Sequence, residues 1–231
     1  MVKEAGIFDY YDKTPPPGEI DAYLAASAKY ALPIRAGGFY YTLGRDEQLL
    51  EWHLRVGKEV GARVHNVQIR TLDASGRMVT DEDVALAYLR AAEIGDRLGV
   101  VPCLEVHVNM RSEHRARVER VARLVKAQGA RFNILDHSHV IFKIDDAVEQ
   151  GVQGMHDDIE AGTLVLDPSM PDHVTGGWIR NEYVRHAHAR AAVPANPVNV
   201  LARHPDGRPG RGIQYPFMEP RPGEWHSQWD G

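Results

Sequence analysis

The chain has 231 residues, 43% of them hydrophobic, and a net charge of −5 at neutral pH, with a pI near 6.2. That length carries one large α/β domain with a sizeable core, and the interspersed charges exclude a phosphate-tracking surface and hence a nucleic-acid partner. No apolar run approaches the roughly 18 residues of a membrane span, so no membrane association is expected.

The opening MVKEAGIFDYYDK has acids early and no apolar core of leader length, and the single cysteine, Cys103, fits a reducing compartment. A cytoplasmic protein is expected. Apolar spacing predicts a first helix over 17–30, with Ile20, Tyr23, Leu24 and Ala28 on one face. Pro33 stops it, and IRAGGFYYTL (34–43) follows as a strand. A second helix is predicted over 46–61, closed by Gly61, and VHNVQI (64–69) is the next strand. Thr80 and Asp83 form an N-cap pair for a helix running to Leu98, with Gly99 as its stop. VVPCLEVHV (100–108), a helix over 112–128 and the strand FNILDHSHV (132–140) complete a βαβαβαβ run.

The pattern loosens beyond Val140. A short helix is predicted over 145–150, strands at TLVL (163–166), VRHAHAR (184–190) and RGIQYPF (211–217), and a Pro/Gly-rich connection over 194–212. The count is six or seven strands, with no evident strand before the first helix and no helix after the last strand. The reading is a single domain over 1–231, a TIM-type (β/α) barrel incomplete at its first strand and last helix. Open ends invite a partner, so a homo-oligomer is expected.

The chain holds 12 histidines, and their placement carries the chemistry. In a β/α barrel the C-terminal ends of the strands share one mouth. CLEVHV offers Glu105 and His107, two apart and so on one strand face. ILDHSHV offers Asp136 and His139, RHAHAR offers His186 and His188, and YPFMEP offers Glu219. A carboxylate inside an apolar strand costs several kcal/mol unless paired or metal-bound, which singles out Glu105. Asp136 is either a site residue or the cap of the next helix, and Glu219 either a site residue or a loop acid. One of His186 and His188 could be a hydrogen-bonded core histidine. Oxygen donors mixed with imidazole suit Mn²⁺, Mg²⁺, Co²⁺ or Zn²⁺.

A strand with Glu, a strand with Asp-x-x-His, a strand with His-x-His and a last strand followed by Glu resemble, in this order, the xylose isomerase-like TIM barrel superfamily. The resemblance covers roughly residues 34–229. It implies one divalent ion, Mn²⁺ first among candidates, held by Glu105, Asp136, His188 and Glu219. It further implies Glu105 and Glu219 as the catalytic acid and base, and His107, His139 and Arg190 as contacts to a small-molecule substrate. The implied reaction is isomerisation or epimerisation of a small sugar or hydroxy-carbonyl compound through an enediolate. A metal-dependent lyase or dehydratase of the same superfamily, or a non-catalytic barrel subunit, is the alternative. The repair endonucleases of the superfamily need histidines on the second and third strands; His65 is near one, but IRAGGFYYTL has none.

Overall fold

The structure, a computed structural model, describes residues 3–4, 6–135, 138–141, 147–167, 169–188 and 198–211, with backbone alone at 138, 141, 198–202 and 209–211. Its centre is one five-stranded sheet in chain order, with every neighbouring pair parallel. The strands are β1 (Tyr11–Asp12), β2 (Ile34–Tyr41), β3 (Val64–Ile69), β4 (Val101–Glu105) and β5 (Ile134–Leu135). Helices α1 (Ile20–Tyr30), α2 (Glu47–Val60), α3 (Asp81–Leu98) and α4 (Arg115–Ala127) fill the crossovers. Parallel neighbours require such crossovers, and the regular β–α alternation curls the sheet as part of a TIM-type barrel. Beyond β5 the sheet continues through one parallel bridge from Ile134 to Val184.

Strand alternation divides the side chains between two layers. Val67, Ile69, Leu104 and Ile134 join Leu50, Leu54, Val84, Tyr88 and Val121 in the main core between sheet and helices. Ala36, Val64, Cys103 and Leu135, contributed by four successive strands, form a separate cluster on the inner face. Cys103 is fully buried there, and burial pushes its thiol up to about 12, so it is a packing residue and not a nucleophile.

The best-predicted helix shows why its signals work. Thr80 Oγ1 accepts from the Asp83 amide at 3.1 Å and the Asp83 carboxylate accepts from the Thr80 amide at 2.8 Å, a reciprocal capping box. Gly99 ends the helix at φ +75°, where only glycine is unstrained. At the same N-terminus, buried Asp81 takes Arg111 at 3.1 Å and Arg120 at 2.6 Å, fastening α3 to the turn before α4 and to α4 itself. Asp81→Ala leaves the buried Arg111 guanidinium without its carboxylate, while half-exposed Arg120 turns to solvent, and is expected to cost about 1–3 kcal/mol, read as a lowered urea midpoint with an unchanged m-value. Gly95 is a second pressure point: a Cβ there would run into the Val100 carbonyl and lie 2.9 Å from Pro102 Cδ. Gly95→Ala is expected to destabilise by about 1–3 kcal/mol, although alanine is the better helix former.

Several expectations need correction. A first strand exists, as the two-residue β1. Strand 100–108 ends at Glu105, so His107 lies in the following loop and does not share a strand face with Glu105. Of the strand expected over 132–140, Ile134–Leu135 is strand among the described residues, and His139 sits on a short helix α5 (Ser138–Ile141). The helix expected over 112–128 is a 3₁₀ turn (Arg111–Glu113) followed by α4. Residues 163–166 form no strand, although Leu164 and Leu166 are buried. Residues 184–188 contribute one bridge and no strand. Two short helices of this region were not predicted, α7 (His156–Glu160) and α8 (Val174–Arg180); the one expected near 145–150 is α6 (Ala147–Val152). Part of the expected 194–212 connection is a hairpin of β6 (Val198–Arg203) and β7 (Pro209–Arg211). Residues 212–217, expected to continue a strand, lie outside the described residues. Among the described residues no helix is long and apolar enough to cross a membrane.

Candidate metal and substrate site

Glu105 is the last residue of β4 and is 4% exposed. Its position follows from register: Leu104 pairs with Ile134 and Glu105 with Leu135, so the strand ends at the mouth with its carboxylate on the inner face. Gln68, next to last on β3, donates from Nε2 to Glu105 Oε2 at 2.8 Å. The Ser112 hydroxyl donates to the Glu105 carbonyl. Backbone and side chain of Glu105 are thus both anchored by neighbouring elements.

The loop after β4 turns sharply. Asn109 adopts φ +62°, and its amide donates to Glu113 Oε2 at 2.8 Å, which closes the turn into the 3₁₀ segment. Within this loop Val108 touches two imidazoles. Its carbonyl accepts from His107 Nδ1 at 2.7 Å, and its amide donates to His139 Nδ1 at 3.3 Å. The two rings pack with centroids 4.3 Å apart. Glu105, His107 and His139 each offer a ligating atom within 4.8 Å of the others. One carboxylate with imidazole nitrogens is a donor set that fits a borderline divalent cation such as Mn²⁺, Co²⁺ or Zn²⁺.

A second group lies where β1 meets the segment after Val184. His188 Nε2–H donates to Asp12 Oδ2 at 3.3 Å, and Asp12, His186 and His188 also offer ligating atoms within 4.8 Å of one another. Burial first, then the neighbouring His188, holds His186 below the usual imidazole value. The structure therefore groups Glu105 with His107 and His139, and His188 with Asp12 and His186. Asp136, Arg190 and Glu219 lie outside the described residues. At the rim, the Arg70 guanidinium stacks 4.3 Å over the exposed Tyr40 ring, presenting a cation beside an aromatic face. A cavity of about 280 Å³ lies elsewhere, between α4 and residues 163–183; none of the mouth's donor groups is in its walls.

Sequence reasoning missed Gln68 and Asp12. The alternation in VHNVQI carries a usable signal for the first, because Asn66 and Gln68 put two amides on the face that a barrel turns inward. Asp12 had a weaker one, a carboxylate closing the short FDYYD stretch. His65, set aside above as near a strand, belongs behind the sheet. The Tyr41 hydroxyl is 2.6 Å from His65 Nε2 and 2.9 Å from His53 Nδ1, all three side chains being buried.

No protein-family model and no curated protein matches the sequence. Solved structures do resemble the fold. An L-ribulose 3-epimerase matches at 14% identity over 80% of this chain and 71% of its own, with a TM-score of 0.50. A xylose isomerase domain protein from Salmonella typhimurium LT2 matches at 18% identity over 60% of this chain, with a TM-score of 0.45. The match spans about half of that protein, 54%. A 3-keto-D-glucoside 4-epimerase from E. coli matches at 15% identity over 77% of this chain and 79% of its own, with a TM-score of 0.41.

Proposed function

We propose that this chain, whose fold is that of the xylose isomerase-like TIM barrels, is a divalent-metal-dependent isomerase or epimerase acting on a small sugar or related hydroxy-carbonyl compound. The observation that carries the reading is Glu105, a buried carboxylate at the end of a central parallel strand, held by Gln68 and grouped with two imidazoles. Burying an acid among apolar strands is costly, and the ends of barrel strands are where such costs serve chemistry.

Glu105 and His188, with Asp136 and Glu219 as the sequence pattern implies, would hold the ion. Bound there, a divalent ion would supply Lewis-acid polarisation of a substrate carbonyl and a template for adjacent oxygens. Glu105 would remove the proton on the carbon next to that carbonyl, its free rotation suppressed by the Gln68 hydrogen bond. Glu219 would return a proton to the neighbouring carbon or the opposite face. His107, His139 and Arg190 would contact the substrate's oxygens, stabilising negative charge as it develops. Arg70 on Tyr40 is an additional rim contact for a polyol.

The test is solvent exchange. Mn²⁺-loaded protein is incubated in ²H₂O with a panel of ketoses and aldoses, and carbon-bound hydrogen is followed by NMR. Deuterium entering next to the carbonyl, together with an isomer or epimer, supports the reading. Elimination products would assign the lyase alternative. No exchange with any substrate class would return the chain to the non-catalytic reading.

A further inference from the structure

We infer that the single residue Val108 fixes the tautomers of His107 and His139 in opposite senses, making His107 Nε2 an additional metal-binding atom of this mouth and keeping the proton of buried His139 on Nε2, out of ligation. The inference rests on the reading above that the mouth holds a divalent ion, and it changes the role expected of His107 from substrate contact to ligand.

A carbonyl oxygen only accepts, so the 2.7 Å contact requires a proton on His107 Nδ1. In the neutral ring the lone pair is then on Nε2. A histidine that ligates through one nitrogen while its other N–H donates to a backbone carbonyl is the common arrangement at metal centres, because that hydrogen bond fixes the tautomer and raises basicity. A backbone amide only donates, so the 3.3 Å contact requires a lone pair on His139 Nδ1. His139 is therefore neutral with its proton on Nε2. Ligation by His139 Nε2 would demand moving that proton to Nδ1 and breaking the bond to the Val108 amide. With the rings 4.3 Å apart, Val108 makes two identical side chains into one acceptor and one donor. The Asn109 turn at φ +62°, held by Glu113, fixes the backbone that does this.

The test combines tautomers and metal affinity. In ¹⁵N-labelled full-length protein at pH 8 without metal, two-bond ¹⁵N–¹H correlations are expected to show a protonated Nδ1 for His107 and a protonated Nε2 for His139. Each ring is assigned by the loss of its signals in His107→Asn or His139→Asn. Asparagine can replace Nδ1 in either role while deleting Nε2, so both variants keep a partner for Val108. In Co²⁺ titrations, His107→Asn is expected to weaken binding at least tenfold and His139→Asn less than threefold. A protonated Nδ1 on His139, or a larger Co²⁺ loss from His139→Asn than from His107→Asn, overturns the inference and leaves the metal reading standing. Wild-type protein that binds no Co²⁺ overturns both the ligand role and the metal reading, while the NMR result still judges the tautomers.

Discussion

Glu105→Gln is expected to lower turnover at least 10³-fold while leaving thermal stability equal to or above that of the wild type. The two effects have different origins. Glutamine is nearly isosteric, and an amide facing Gln68 can replace the present hydrogen bond at 2.8 Å. Burying a carboxyl group in an apolar strand costs more than burying the amide that replaces it. Chemistry, however, loses both the base and an anionic ligand, and effects on the order of 4 kcal/mol in the barrier are usual for such groups. A stability gain beside an activity loss is the signature of a residue kept for function. If turnover survives and the melting temperature falls instead, Glu105 is a structural acid. Gln68→Leu gives the complementary case: the carboxylate stays but loses a positioning partner, so a smaller fall in turnover and a lower melting temperature are expected, read by kinetics and calorimetry on the same sample.

Acid is expected to destabilise the protein from about pH 6.5 downward, before its carboxylates titrate. Tyr41, His53 and His65 form a buried network between β2, β3 and α2. One hydroxyl proton serves two ring nitrogens, so the hydroxyl donates to one imidazole and accepts from the other. Both rings are neutral in the folded protein. Burial pushes His65 down from 6.5 to about 3, with the nearby His53 adding to it, and burial pushes His53 down from 6.5 to about 4. Below about 6.5 the unfolded chain takes up protons that the folded chain refuses. Stability is therefore full above that value and falls with pH from about 6.5 down to about 4 for His53 and about 3 for His65. Two such groups amount to roughly 2–4 kcal/mol between pH 7 and 5. His114 and His186, both held low by burial first, add smaller contributions of the same sign. Urea midpoints at pH 7 and 5 measure the effect. The double variant His53→Asn, His65→Gln, in which each amide mimics the nitrogen that meets Tyr41, is expected to be less stable at pH 7 and to lose most of the pH slope. Equal slopes in variant and wild type would place the acid sensitivity elsewhere.

Much of the front half of the molecule was legible because its signals are local. Strand 64–69 and the helix from Thr80 to Leu98 are written in alternation, a capping box and a terminal glycine, each acting over a few residues. The mouth was legible in kind more than in detail. Glu105 stood out as an acid in an apolar strand, but nothing local shows that β4 stops there and throws His107 into a loop. That end is set by Met110 bridging back to Arg70 and by Ser112 reaching the Glu105 carbonyl, both contacts between elements. Among the described residues, the strand expected over 132–140 keeps Ile134–Leu135 and gives way to a helix by Ser138, for a similar reason. Ile134 finds its sheet partners in Tyr183 and Arg185, about 50 residues away, and Val108 captures His139 from across the mouth. Asp12 and Gln68 were overlooked because their meaning lies in a partner, His188 and Glu105 respectively.

Calorimetric titration of Mn²⁺ into metal-stripped wild type and Glu105→Gln tests whether Glu105 belongs to a divalent-metal centre. The expected result is one ion per chain in wild type and a loss of at least tenfold in affinity in the variant, with both proteins giving the same circular dichroism. Wild-type protein that binds no Mn²⁺, or a folded Glu105→Gln that binds it equally well, would contradict it.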